Sequence, residues 1–397
     1  RTSSFQFKGQ NLDISQVAEQ LNVNHVLEGS VRKSGVKVRV TAQLIEAETG
    51  YHLWSDTYDR ELNDIFAIQD EISAAIVSAL SKTLGIQSAA APTVGAGTDP
   101  EAYNAYLLAQ HQIRQRTKLS IEAAAENYEL ALEIDPDYAP AHAGAGLAWY
   151  LLTASNATYG SLPLEESLAK ARPHLDRALE LDPDLPEALG AYGLILSAEL
   201  KDEEALPYFE QALELNPSLT SVRNWYANSL GDLRRPDEAL EQIKTAYELD
   251  PLSVLTLNNY TNQLLIRRQF DAAEPVLDRL AQIDPYRGAQ FRGLMEVIRG
   301  QAADGMIVML RAIDQDATKF QMRGLVAQNL FSMGMKDAAR IVWPYPGNMY
   351  RLERNTADKD VALELTLRNF ADNPNQPGVK ANVAWAYFTA GKMEEAK

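Results

Sequence analysis

Histidine, cysteine and paired carboxylates are where bond-making chemistry would start, and this chain offers little of it. The five histidines, His25, His52, His111, His142 and His174, include no i, i+4 pair with a glutamate, so packing or surface roles are expected and no metal site. There is no cysteine, which removes disulfides, thiol nucleophiles and Cys-based zinc sites together. Two Gly-Ala-Gly runs, 95–97 and 144–146, neither follow a strand nor open a helix as a dinucleotide fingerprint must. Gly29-Ser30-Val31 and Gly160-Ser161-Leu162 lack the setting of a nucleophile elbow. The carboxylates fall on solvated helix faces and beyond helix ends. The chain reads as a non-enzyme without a cofactor.

Binding leaves a different trace. Asn224, Asn228, Asn258, Asn259 and Asn262 stand in stretches of helical periodicity, where asparagine is a poor helix former and needs another reason to be present. An amide both donates and accepts, so a row of them can pair with the backbone of an extended peptide whatever its side chains. Bridging neighbouring helices or holding water is the competing role.

The totals narrow the partners. At 397 residues the chain can hold two or three domains or one extended array. A formal charge of −17 disfavours nucleic acid and anionic membranes, and favours basic partners. No run approaches the length of a spanning helix. Starting at Arg1 without Met and stopping at Lys397 inside a helical pattern, the sequence leaves room for a signal peptide or anchor outside it.

The elements that would position such a binding face repeat along the chain. Five similar endings recur, ALEIDP at 131–136, ALELDP at 178–183, ALELNP at 212–217, AYELDP at 246–251 and LAQIDP at 280–285. Pro183, Pro217, Pro251 and Pro285 are 34 residues apart, and the 47 residues from Pro136 to Pro183 are 34 plus an insertion of 13. Such a period marks stacked helix–turn–helix units, each closed by a proline that cannot continue the helical ladder. Within 186–219, Gly193 and Ala205 fall where two antiparallel helices approach, with Phe209 as the knob and Ala212 as its gap. The insertion, 153–165, either lengthens a first helix or forms a flap over one face.

These residues resemble the tetratricopeptide repeat (TPR) family, most closely over 120–285. The resemblance implies a mainly α fold, a right-handed solenoid of about seven to eight units over 101–397, irregular at 343–356 and with its last unit cut short. In that family the first helix of each pair lines a concave face that takes a peptide. Carried onto this chain, the contacting positions are Asn224, Trp225, Asn228 and Asp232, then Leu255, Asn258, Asn259, Asn262 and Leu265. No set of Lys and Arg for the family's carboxylate clamp stands in these repeats. A protein or peptide is the implied partner.

Ahead of the repeats lies a small-residue linker, 87–100, and before it a module of another kind, 1–86. Asp13 and Gln16 form a capping-box pair before a short helix, and Asp64 stands where it can cap a longer one. Between them Val36, Val38, Val40, Ala42 and Leu44 alternate with polar residues, the period of a half-buried strand in a hairpin, and 51–59 makes a third strand. The expected order is α-β-β-β-α, with Tyr103, Tyr106 and Tyr128 of the first repeat packing against it. Residues 1–85 resemble the second half of the TolB amino-terminal-like (FlgO-like) domain, whose first strand and helix would precede Arg1, so an exposed sheet edge is expected. In bacterial proteins such modules and repeats follow an output domain, a CadC-type winged helix or a class III nucleotide cyclase, often with a membrane span between. The resemblance thus implies a scaffold or sensory-regulatory half of a larger bacterial signalling protein. A small-ligand-sensing portion is the alternative, with the periplasmic side of an anchored protein preferred over the cytoplasm.

Overall fold

A computed structural model describes residues 12–61 apart from 36, 65–84, 98–315 apart from 155–157, and Ser4, Phe7, Val326, Ala327 and Leu330. Val36, Asp64, most of the linker and the expected elements after 330 lie outside the described residues. Among the described residues there are fourteen helices and three strands, a mainly α fold with one small antiparallel sheet. The chain forms two compact units, Arg1–Tyr260 and Thr261–Lys397.

The first unit opens with α1 (Ile14–Leu21), β1 (His25–Ser34), β2 (Lys37–Glu46), β3 (His52–Glu61) and α2 (Ile65–Leu84), the order read from the sequence. Both bonds of the Asp13–Gln16 capping box are present, and Asn22 ends α1 in the left-handed region at φ 53°. The sheet is a meander, β1-β2-β3, in which Leu44 lies opposite Leu27 and Trp54, and Val40 opposite Val31 and Tyr58. Val38, Ala42, Leu44 and Tyr58 are buried, so β2 has the one-sided burial that its alternation predicts. Helix α2 lies against β3. On the edge strand β1 the same face stays open, with Leu27 50% and Val31 70% exposed.

Helix pairs follow: α3 (Pro100–Ile113) with α4 (Lys118–Ile134), α5 (Ala139–Leu151) with α6 (Leu164–Leu181), α7 (Pro186–Ala198) with α8 (Asp202–Leu215), and α9 (Thr220–Asp232) with α10 (Pro236–Leu249). The first helices touch in succession, α3 to α5, α5 to α7 and α7 to α9, and so form one layer. Helix α11 (Val254–Ile266) runs through the boundary between the units. The second unit continues with α12 (Phe270–Ile283), α13 (Pro285–Arg299) and α14 (Ala302–Gln315).

Glycines and alanines set the spacing within pairs. A Cβ added to Gly193 would lie 2.7 Å from Phe209 Cε1, and Phe209 is fully buried, as the sequence predicts for a knob against a gap. The turns between paired helices carry a left-handed residue at Arg116 and then at Leu200, Arg234 and Arg268, the last three 34 residues apart, whereas the described part of the longer α5–α6 connection has none. The next is Gly300, 32 residues on, because α13 begins at Pro285 itself instead of three residues later. The insertion does not lengthen α5. It turns back, with Tyr159 N donating to Leu151 O at 2.9 Å and Leu162 N to Leu152 O at 3.0 Å, and makes a flap beside α4. No helix among the described residues is long and apolar enough to cross a membrane.

Candidate functional site

A groove of about 710 Å³ runs along the first-helix layer of the first unit. Tyr106 and Gln110 of α3, Arg114 just past its end, Ala143, Gly144 and Leu147 of α5, and the turns that open α9 and α11 form its walls. Helix α5 is narrow because its sequence, APAHAGAGLAWYL, is mostly small residues. A Cβ at Gly144 would stand 2.3 Å from Tyr128 Cε1, so the α4 tyrosine lies directly on the α5 backbone at the groove wall.

The tyrosines expected to face the front module pack among the repeats instead. Tyr106 meets Tyr103, Tyr128 and Tyr138 with ring centroids 6.1, 6.0 and 5.2 Å apart. Burial pushes the hydroxyls of Tyr106, Tyr128 and Tyr138 well above the ordinary phenol range, so all three stay protonated.

Of the nine positions proposed from the sequence, only Asn224 and Leu255 border this groove. Asn224 is 1% exposed, and its amide is taken up by the protein. Nδ2 donates to Thr220 O at 2.7 Å and to Thr256 Oγ1 at 3.0 Å, while Oδ1 accepts from Asn259 Nδ2 at 2.8 Å. This is an inter-helix bridge of α9 and α11, the competing role named from the sequence, and it occupies the amide that was expected to face a ligand. Asn258 is half-buried, and its Oδ1 is buried without a partner. Trp225 is half-buried against the α8–α9 core, while Asn228 and Asp232 are exposed, the Asp232 carboxyl raised by partial burial and by Asp202. Leu255 is 36% exposed. In the second unit Asn262 is exposed, and Leu265, 1% exposed, is core and not a contact surface.

Two groupings escaped the sequence. Arg114 and Arg116, from the α3–α4 turn, line the groove beside Tyr128. Only their place in a repeat turn signalled this. The second grouping joins His142 of α5 and His174 of α6, with Nδ1 atoms 3.2 Å apart. His142 Nε2 donates to Pro136 O at 3.0 Å, so its Nδ1 accepts from His174, whose Nε2 meets Glu129 Oε1 at 3.1 Å. Trp149 Nε1 donates to the same oxygen at 3.0 Å. Burial first, then the nearby His174 and Arg177, hold the His142 imidazole below its ordinary value against the opposing pull of Pro136 O and Glu129. The His174 hydrogen bond holds the Glu129 carboxyl below the usual range. Their spacing of 32, close to one repeat, was the available signal.

The helix pair α7–α8, closed by Pro217, decides the family of the repeat. Residues 186–219 match the tetratricopeptide repeat. The following pair, α9–α10, shares the helix–turn–helix build and left-handed turn of this TPR unit, with Arg234 in the place of Leu200. Beyond the unit, the chain is 37% identical over 205 residues to a protein of Rhizobium meliloti (strain 1021) named as an adenylate cyclase, a match covering 52% of this chain and 34% of that one. The chain thus spans about a third of the length of this curated relative. Among solved structures, Pseudomonas aeruginosa PilF is 18% identical, covering 57% of this chain and 97% of its own, with a TM-score of 0.42. YrrB, a TPR protein with an unusual peptide-binding site, is 25% identical, covering 47% and 86%, with a TM-score of 0.30.

Proposed function

We propose that the chain is a non-catalytic, regulatory part of a larger bacterial signalling protein, and that the first-helix groove of its first unit binds an extended peptide of a partner. The groove of about 710 Å³ carries this reading: its lining combines apolar Leu147 and Leu255 with Ser218 and Ser221. Apolar pockets with a few polar groups suit an extended chain. The relative from Rhizobium meliloti supports a nucleotide cyclase as the linked output domain over a winged helix. A random-sequence peptide array probed with the whole chain tests the groove. Binding should fall with Ser221→Trp and Leu255→Arg, which obstruct it, and persist with Glu241→Lys on the exposed side of α10. Binders indifferent to both groove substitutions would refute the site.

A second reading gives the front module the sensory role, for a small ligand, on the periplasmic side of an anchored regulator or cyclase. Its support is the α-β-β-β-α order, which suits the TolB amino-terminal-like module. The complete open reading frame separates the two: a spanning segment joined to an output domain favours this reading, and its absence removes it.

A further inference from the structure

A second cleft, of about 640 Å³, lies between α4 and the flap and shares no lining residue with the groove. Part of its lining is apolar: Leu130, 45% exposed, stands there with Leu162 of the flap and the Trp149 ring. Glu122, Glu126, Glu129 and Glu133 of α4 also line it, at spacings of four, three and four that put them on one helix face. Such a row repels itself, and Glu133 stands in the last turn of α4, where the negative helix end opposes an acid and no basic residue offsets it. Helix stability therefore gives no reason for this row. Glu122 lies 3.7 Å from Lys118, and Glu129 takes His174 and Trp149, but among the described residues Glu126 and Glu133 have no ion pair. The wall already attracts a cation, since Lys170 Nζ lies 4.2 Å from the centroid of the Trp149 ring. Lys170 is exposed and its stem is flexible, so it can be displaced.

We propose that this cleft is a second docking site, separate from the groove, for a basic segment of a protein partner. An arginine or lysine of that segment lies on the Trp149 ring in place of Lys170, with its charge between Glu126 and Glu133, and an apolar neighbour rests on Leu130 and Leu162. Four carboxylates against two ammoniums make the lining acidic, so charge complementarity selects a basic occupant. The apolar lining makes the site more than a counterion surface, because it rewards a segment that also carries an apolar side chain. The cleft is a product of the 13-residue insertion. Ser161 and Leu162 form one side of it, and Lys118 Nζ donates to Ser161 Oγ at 3.1 Å, fastening the flap to the start of α4. The pairs α7–α8 and α9–α10, joined by short turns, have no such flap.

The random-sequence array probed with the whole chain tests this site as well, because the two sites answer to different substitutions. One class of bound peptides should carry Arg or Lys beside an apolar residue, and should keep its binding in Ser221→Trp and Leu255→Arg. Glu126→Gln with Glu133→Gln should weaken that class about fivefold or more, the loss of two exposed ion pairs, and Leu130→Ser should weaken it further. Lys170→Ala should tighten it about two- to fivefold by vacating the ring, a direction that a structural role for Lys170 would not give. Glu241→Gln with Glu248→Gln removes the same charge from the exposed side of α10 and should leave binding unchanged. An equal loss there would show general attraction to an acidic protein and overturn the site. Absence of this peptide class, or its indifference to Glu126→Gln with Glu133→Gln, also overturns the site, whatever becomes of the groove. Without peptide, the Glu126→Gln, Glu133→Gln chain should unfold at the same or a higher temperature, since repulsion along α4 is relieved. A marked fall would show that these carboxylates serve the fold, and would overturn the proposal independently.

Discussion

Replacing Asn224 by alanine tests whether this side chain serves the ligand or the fold. The substitution removes two donated bonds, to Thr220 O and Thr256 Oγ1, and one accepted from Asn259. Thr220 O belongs to a helical turn and keeps a backbone donor, so its loss is small. Thr256 is fully buried and loses the donor at its hydroxyl, and a buried group left without its partner costs about 1–3 kcal/mol. Adding the released Asn259 amide and the small void, Asn224→Ala should lose about 2–4 kcal/mol. Asn228→Ala, one turn along on the exposed side of α9, should stay within about 0.5 kcal/mol of the parent. Urea unfolding followed by circular dichroism reads both, provided the slope of the transition is unchanged. Thr256→Val supplies the internal check. It removes the hydroxyl that Asn224→Ala strands, so the double variant should lose less than the sum by about 1 kcal/mol. If Asn224→Ala behaves like Asn228→Ala, the bridge is not structural. If it spares stability and abolishes peptide binding, the amide belongs to the ligand after all.

Two further outcomes follow from the relay and the turns. His142 is held below its ordinary 6.5 and Glu129 below 4.5, so in each case the unfolded chain takes up the proton first; stability is complete above about pH 6.5 and declines as pH falls through both windows. Urea midpoints measured against pH should show this fall, and His142→Gln should flatten its upper part; an unchanged profile refutes the assignment. Leu200 sits at φ 63° and is 88% exposed, so Leu200→Gly should relieve about 1–2 kcal/mol of left-handed strain against about 0.5–1 kcal/mol of added chain entropy. A small rise in melting temperature is expected, and a clear fall would show that this turn carries no strain.

The contrast between what the sequence showed and what it hid has a physical pattern. Pro183, Pro217, Pro251 and Pro285 announced the repeat because each stands at the same point, where α6, α8, α10 and α12 have ended two residues before it and a proline cannot extend the ladder from within the turn. The left-handed turns share the period, yet Leu200, Arg234 and Arg268 give no sign of it, since tertiary packing imposes there a conformation that their residue types do not favour. Gly193 and Phe209 were readable as a pair because their roles depend on size alone.

Asparagines and tyrosines are harder, because their function depends on direction. A helix turned by one residue rotates its face by about 100°, enough to carry an amide from the groove to the neighbouring repeat. Asn224 and Asn228 stand one turn apart on α9, yet one is buried and the other exposed. Tyr128 was expected against the front module and packs instead in the core of the first repeats. Whether its hydroxyl meets a partner depends on the last ångström of a side chain lying on Gly144, and on a turn that delivers Arg114 and Arg116. Patterns of apolar residues place a ring in a core, but only assembled neighbours determine whether its polar tip is satisfied. Among the described residues the polar tips that packing leaves unsatisfied are scattered, the Tyr128 hydroxyl on α4, Asn258 Oδ1 and Thr261 Oγ1 on α11 and Gln290 Oε1 on α13, and no periodicity in the sequence marks them.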